Sequence, residues 1–158
     1  TTFDVVKSSI LLFCVEVLNK AIQEEESNEP LFEFISNAFE RLDNIETSAA
    51  NFHLWFMTQL SGFLGFFPNG CFSTSTPYFD LLDGTFFQEL KAQQYFLEPP
   101  LSRTFSTVLE NDFEEIMTLK IAGNERKALL HHLVDYYRLH IESFGKMHSP
   151  AILQEVLK

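Results

Sequence analysis

His131, His132 and Asp135 come nearest to metal chemistry by type and spacing. His131 and Asp135 stand one helical turn apart, and His132 reaches Asp135 at three residues, the offsets that place side chains on one helix face. A metal centre needs a third and fourth donor. His140 and His148 fall on other faces or in a loop, so the cluster reads as a solvated helix face and no metal is expected. His53 lies beside an apolar stripe and is expected to be hydrogen-bonded or exposed. A nucleophile site needs Ser or Cys held against a base and that base against an orienting group. No Gly-x-Ser-x-Gly elbow, phosphate loop or Gly-x-Gly-x-x-Gly motif occurs. No catalytic residue and no cofactor is therefore expected, and the chain reads as a protein other than an enzyme.

The excess is in rings: 18 of the 158 residues are Phe. Rings at helical spacing are ordinarily core. Phe63, Phe66 and Phe67, followed by Phe72, Tyr78, Phe79, Phe86 and Phe87, nevertheless give more aromatic surface than a small hairpin covers, so part of it is expected against the bundle or a partner. Charge is biased the other way. Against 22 Asp plus Glu stand 11 Lys plus Arg, a formal charge of −11, which is a poor footprint for a nucleic-acid backbone. Glu24 to Glu26 and the pair Glu114 and Glu115 read as solvated turns. Six of the basic residues, Lys120, Arg126, Lys127, Arg138, Lys146 and Lys158, fall in the last third, where they could cradle an acidic peptide or form surface pairs.

Length predicts a single domain over 1–158, and 46% apolar with 21% charged residues excludes a disordered tail or a collagenous repeat. The longest apolar run, Ile10 to Val15, falls far short of the roughly 18 residues a membrane span requires. Cys14 and Cys71 form neither a disulfide framework nor a zinc spacing, and a reducing, cytoplasmic setting fits. The chain opens at Thr1 inside a helix lead-in and reads as a fragment.

These residues need elements to position them. Apolar residues on two adjacent faces, Val6, Ile10, Phe13, Val17 and Ala21 with Leu11, Val15, Leu18 and Ile22, predict a helix from Asp4 to Glu26 wrapped by others. Pro30 suits the first turn of a second helix, whose buried stripe is Leu31, Phe34, Ile35, Ala38, Phe39 and Leu42. Ser48 reads as the cap of a third, Ala49 to about Leu64, with Phe52, Trp55, Phe56, Leu60, Phe63 and Leu64 inward and Gly65 closing it in the left-handed conformation. Pro68 to Pro77 is a loop. Tyr78 to Leu81 and Thr85 to Phe87, around Asp83 and Gly84, predict a β-hairpin. Gln88 to Pro100 has no clear period. Short helices are expected over Leu101 to Leu109 and Phe113 to Leu119, and Asn124 opens a long one with Leu130, Leu133, Val134, Tyr137 and Ile141 on its buried face. Ser149 and Pro150 cap a last helix. The fold class is mainly α: a bundle of five to seven helices with a small inserted hairpin near residues 78–87.

Three stretches in this order, NFHLWFMTQLSGFLGFFP from Asn51 to Pro68, YFDLLDGTF from Tyr78 to Phe86 and YYRLHIESFGKMHSPAIL from Tyr136 to Leu153, resemble the C-terminal helical domain of the RecO recombination mediator family. Leu64, Gly65, Phe66 and Pro68 match the family's Leu-Gly-aromatic step and proline, and Ser149 its last helix start. The resemblance implies a bacterial cytoplasmic protein of homologous-recombination repair with an N-terminal OB-fold upstream of this chain as the main DNA platform. It implies association with RecR and engagement of the acidic, Phe-terminated tail of the single-strand-binding protein, so that RecA can load. Two departures matter. Many members carry four zinc-ligating cysteines around the hairpin, whereas only Cys71 lies there, so apolar packing must hold it. Some relatives have a basic residue ahead of the third helix, where this chain has Ala50 and Asn51. A tail-docking groove needs an aromatic wall and a cation for the terminal carboxylate, and Phe52, Trp55 and Phe56 are nominated for the wall with Arg138 for the charge. A helical ligand-binding or effector domain with a Phe-lined apolar pocket is the alternative reading.

Overall fold

The computed structural model describes residues 2–23 and 27–157, so the acidic run Glu24 to Glu26, read above as a solvated turn, and Lys158 lie outside the described residues. Among the described residues the chain forms seven helices and one three-stranded sheet. Helix α1 (Thr2–Ala21) buries Ile10, Phe13, Cys14 and Val17. It ends at Ala21, earlier than the apolar pattern predicts. It is also less enclosed than predicted: Leu11, Leu12 and Val15 are exposed, because α1 packs on helices on one side only. Its most extensive pairing is with α7 (Ser149–Val156), the last helix in the chain.

Helix α2 (Glu29–Asn44) starts on Asn28, whose side chain accepts the Leu31 N–H at 3.1 Å, followed by Pro30 in the first turn, where a missing N–H costs nothing. Leu31, Ala38 and Leu42 are buried and Phe34, Ile35 and Phe39 pack beside them. Helix α3 (Phe52–Phe63) is the centre of the bundle, touching α1, α2, α4, α5 and α6. It begins three residues later than predicted. Ser48 serves a turn instead of the helix, its Oγ accepting the Ala50 N–H at 3.2 Å. Phe63 reaches the surface at 41% exposure rather than facing inward. Gly65 has φ +94°, as the closing position requires.

The hairpin is present and carries a third strand. β1 (Tyr78–Asp80) pairs antiparallel with β2 (Thr85–Phe87) in the register Tyr78 to Phe87, Phe79 to Phe86 and Asp80 to Thr85. β3 (Phe96–Leu97) lies on the other side of β1, giving the order β2-β1-β3. β1 stops at Asp80 because its carboxylate accepts the N–H groups of Leu82 at 2.8 Å and Asp83 at 3.1 Å, turning the chain at once. Rings hold the sheet down: Phe79 lies 4.9 Å from both Phe86 and Phe105 and 5.8 Å from Tyr136, centroid to centroid. Phe105 belongs to α4 (Leu101–Glu110) and Tyr136 to α6 (Gly123–His140).

Between them, Asp112 opens α5 (Phe113–Thr118) with a capping box, accepting the Glu115 N–H at 2.9 Å while the Glu115 side chain reaches back. Along α6, Leu130, Leu133, Val134 and Tyr137 are buried, as their spacing predicts. At α7, Ser149 does not cap through its own turn. Its hydroxyl donates to Glu16 of α1, so a distant carboxylate occupies the helix start.

Candidate functional site

α2, α3 and α5 enclose an aromatic groove. Trp55 of α3 and Phe113 at the head of α5 meet edge to face at 4.7 Å. The Arg41 guanidinium in the last turn of α2 lies 4.8 Å from the Phe113 ring centre and 5.7 Å from that of Trp55, within the range where a cation is held by the ring quadrupole. Phe34 stacks on Phe63 at 4.8 Å and leans on Trp55 at 5.8 Å. Two concavities, about 610 Å³ and about 540 Å³, share Asn37, Arg41 and Phe113 and so form one trough with Arg41 at its middle. Among the described residues Arg41 has no carboxylate partner. The rim is acidic, with Glu33, Glu40, Glu46, Asp112 and Glu114 along it.

Of the four nominated docking residues, Trp55 lines this groove, while Phe52 and Phe56 are fully buried behind it. They stack on each other at 6.1 Å with 18° between planes and support the wall from within. Arg138 is elsewhere, in the last turn of α6, where its Nε donates to the Gly145 carbonyl at 3.0 Å and its Nη1 lies 3.5 Å from Asp135. The structure does not bring it to Trp55. Arg41, Phe34, Phe63 and Phe113 escaped the sequence reading. Arg41 did carry a signal: Asn37, Ala38, Asn44 and Ile45 occupy its i±3 and i±4 positions, so no acid on its own helix can pair with it.

His53 corrects an expectation. It is neither exposed nor hydrogen-bonded: the ring is fully buried, and neither Nδ1 nor Nε2 has a partner. Phe13 meets it edge to face at 5.9 Å. Burial, with the positive charge of Arg126 added, lowers its pKa to about 3 and keeps the ring neutral. Two residues away, Asn51 is a buried hub. Its Nδ2 donates to the carbonyls of Ile116 at 2.9 Å and Leu119 at 2.8 Å, and its Oδ1 accepts Arg126 Nε at 3.0 Å. The position just ahead of α3 is thus polar, and a cation from α6 stands against it. His131 is exposed and contacts Gln154, and Asp135 faces Arg138. Among the described residues no group of three or more His, Cys, Asp or Glu could hold a metal ion, and no helix is long and apolar enough to cross a membrane.

The family model for the C-terminal part of recombination protein O matches residues 2–150. The DNA repair protein RecO of Azobacteroides pseudotrichonymphae is 36% identical over 151 residues, covering 96% of this chain and 63% of that protein. That of Christiangramia forsetii is 38% identical over 151 residues, 96% and 62%, and that of Flavobacterium psychrophilum 34% over 156 residues, 98% and 63%. The chain therefore spans less than two thirds of the length of these relatives. No solved structure matches it. With a helical body built around the Asn51 to Pro68 segment, the sheet that follows it and a match across nearly all of its length, this chain belongs to the C-terminal domain family of the DNA repair protein RecO.

Proposed function

We propose that this domain is a noncatalytic scaffold and docking module of a cytoplasmic recombination mediator: it associates with RecR, engages the C-terminal tail of the single-strand-binding protein and supports RecA loading. DNA is held mainly by an OB-fold elsewhere in the protein. The observation that carries the docking role is Arg41 lying across Trp55 and Phe113 in an open groove, without a carboxylate partner among the described residues. A terminal phenylalanine packs on the surface formed by Phe34, Phe63 and Trp55, and its carboxylate meets Arg41 in a charge-assisted contact. The acidic rim limits what can follow. Only the last residues of an acidic tail can enter, so affinity rests on the anchor and not on long-range attraction.

Trp55 is the single tryptophan, so its fluorescence reports the groove directly. Titration with an acidic peptide ending in Pro-Phe should give a saturable change that weakens at least fivefold in Arg41→Ala and is kept in Arg138→Ala. A change lost in Arg138→Ala and kept in Arg41→Ala would move the cation back to α6. No response at millimolar peptide removes the docking role.

A further inference from the structure

Helix α1 is apolar on two opposite faces. Placed at about 100° per residue, Ile10, Phe13, Cys14, Val17 and Ala21 group on one side and are buried. Val5, Ser8, Leu11, Leu12, Val15 and Asn19 group on the other, all exposed, in a strip about 120° wide. Leu12 keeps 65% of its surface open and Val5 54%. Asp4, in the first turn, is the one charge on this strip. The other charges turn to the flanks. Lys7 lies on one and donates to the Asp43 carbonyl near the end of α2 at 2.6 Å; Lys20 and Glu16 lie on the other, where Glu16 caps α7. In a chain with 22 acids and 11 bases, more than four helical turns with a single charge show the charge depletion of an interface core.

A helix that is apolar all round belongs inside a larger body or a membrane, and α1 is not long and apolar enough to cross a membrane. Protein must therefore cover the strip. Its size argues against a free partner: the open apolar area is of the order of a few hundred Å², against about 800 Å² that each member of a stable pair buries. A tethered neighbour meets no such threshold, because a short linker holds it at an effective concentration in the millimolar range. The relatives supply one. The family match is to the C-terminal part, and it takes up less than two thirds of each relative, so more than a third of those proteins lies ahead of the matched region. That length suffices for a domain of its own. An equivalent domain in this protein would join α1 at its N-terminal end, one turn from Val5, where the strip begins.

From the open apolar strip of α1, its lack of charge and the length of the relatives, we infer that this face is the seat of the domain that precedes α1 in the full-length protein. That domain presents an apolar, weakly charged surface to Val5, Leu11, Leu12 and Val15, with hydrogen-bonding groups opposite Ser8 and Asn19. The contact runs along the axis of α1, so the two domains move as one body and not as beads on a flexible linker. The inference rests on the shape of α1 and the length of its relatives, and not on what either domain binds.

The test labels single thiols in the full-length protein, with Cys71→Ser removing the exposed native thiol while Cys14 stays buried. Leu12→Cys should react with a maleimide about tenfold more slowly than Leu82→Cys on the hairpin turn, although Leu82, at 57% exposure, is no more open than Leu12 within this chain. Val5→Cys should be slowed likewise, so the result does not hang on one variant. The slowing should not change on dilution, because the covering domain is tethered. Equal rates at the Leu12 and Leu82 sites overturn the inference. Slowing that disappears on dilution assigns the face to a second copy of the protein and overturns it as well. No peptide and no DNA is present, so the outcome is separate from that of the groove at Trp55.

Discussion

The Glu16 carboxylate accepts the backbone N–H of Ser149 at 2.8 Å across 133 positions of sequence. Its other oxygen accepts the His148 N–H at 2.9 Å, and the Ser149 hydroxyl donates to the first oxygen. A side chain of α1 thus supplies the negative cap that α7, lacking a cap of its own, needs at its positive end. The buried leucine of α7, Leu153, is held against the bundle by the same geometry.

Glu16→Ala is expected to lower stability by about 1–2 kcal/mol at pH 7, with Glu16→Gln intermediate because an uncharged oxygen still accepts. Partial burial raises the Glu16 pKa, but the bonds from Ser149 and His148 outweigh it and hold the group below its ordinary value. A carboxyl depressed in the folded state contributes fully above its unfolded pKa, and the contribution is lost as pH falls through the folded one. Urea unfolding of wild type and Glu16→Ala at pH 7 and pH 3 should show the difference shrinking in acid.

Asn51→Ala should cost about 2–4 kcal/mol, since it strips the donors from two carbonyls and the acceptor from Arg126. Asn51→Asp should not rescue it. The carboxylate would keep Arg126 but face the carbonyls of Ile116 and Leu119 without a donor. Thermal unfolding of both variants checks this.

His53→Leu is expected to stabilise the protein by about 1 kcal/mol at pH 7, because it removes a buried group with no partner at similar volume. It should also flatten the acid response. With a folded pKa of about 3 against an unfolded value near 6.5, the folded state binds fewer protons. Wild type therefore loses stability as pH falls from about 6.5 toward 3, by about 2 kcal/mol between pH 7 and pH 5. Denaturation midpoints of the two proteins at those pH values should diverge as the pH falls, the variant keeping its midpoint and wild type losing it.

Gly84→Ala should cost about 1–3 kcal/mol. Gly84 has φ +69°, and an added Cβ would stand 3.0 Å from the Tyr136 hydroxyl, which donates to the Phe66 carbonyl. Strain and crowding add at one site. Hydrogen exchange should show the loss at Phe66 and along β1, with α1 protected as before.

Much of the fold was legible in the spacing of apolar residues. The stripes of α2 and α6, the proline in the first turn of α2 and Gly65 after α3 are local signals, and each element formed where its signal lies. β3 was not legible, because Phe96 and Leu97 are a strand only through their pairing with Asp80 and Phe79. The cation of the aromatic groove escaped the sequence for a similar reason. Asp135 three residues before Arg138 marks that arginine for a surface pair and Arg41 has no such acid, but only tertiary packing lays Arg41 over Trp55. His53 differs from other helix residues by the absence of any acceptor around it, which no neighbour in sequence reports.

The closure of α1 by α7 sets an order of events during synthesis. A ribosome releases α1 first and α7 more than 120 residues later, a delay of about ten seconds at ordinary elongation rates. Through that interval the surface of α1 that packs on α7 has no lid. Until α7 arrives, that surface of α1 stays open to water or to collapse onto α3.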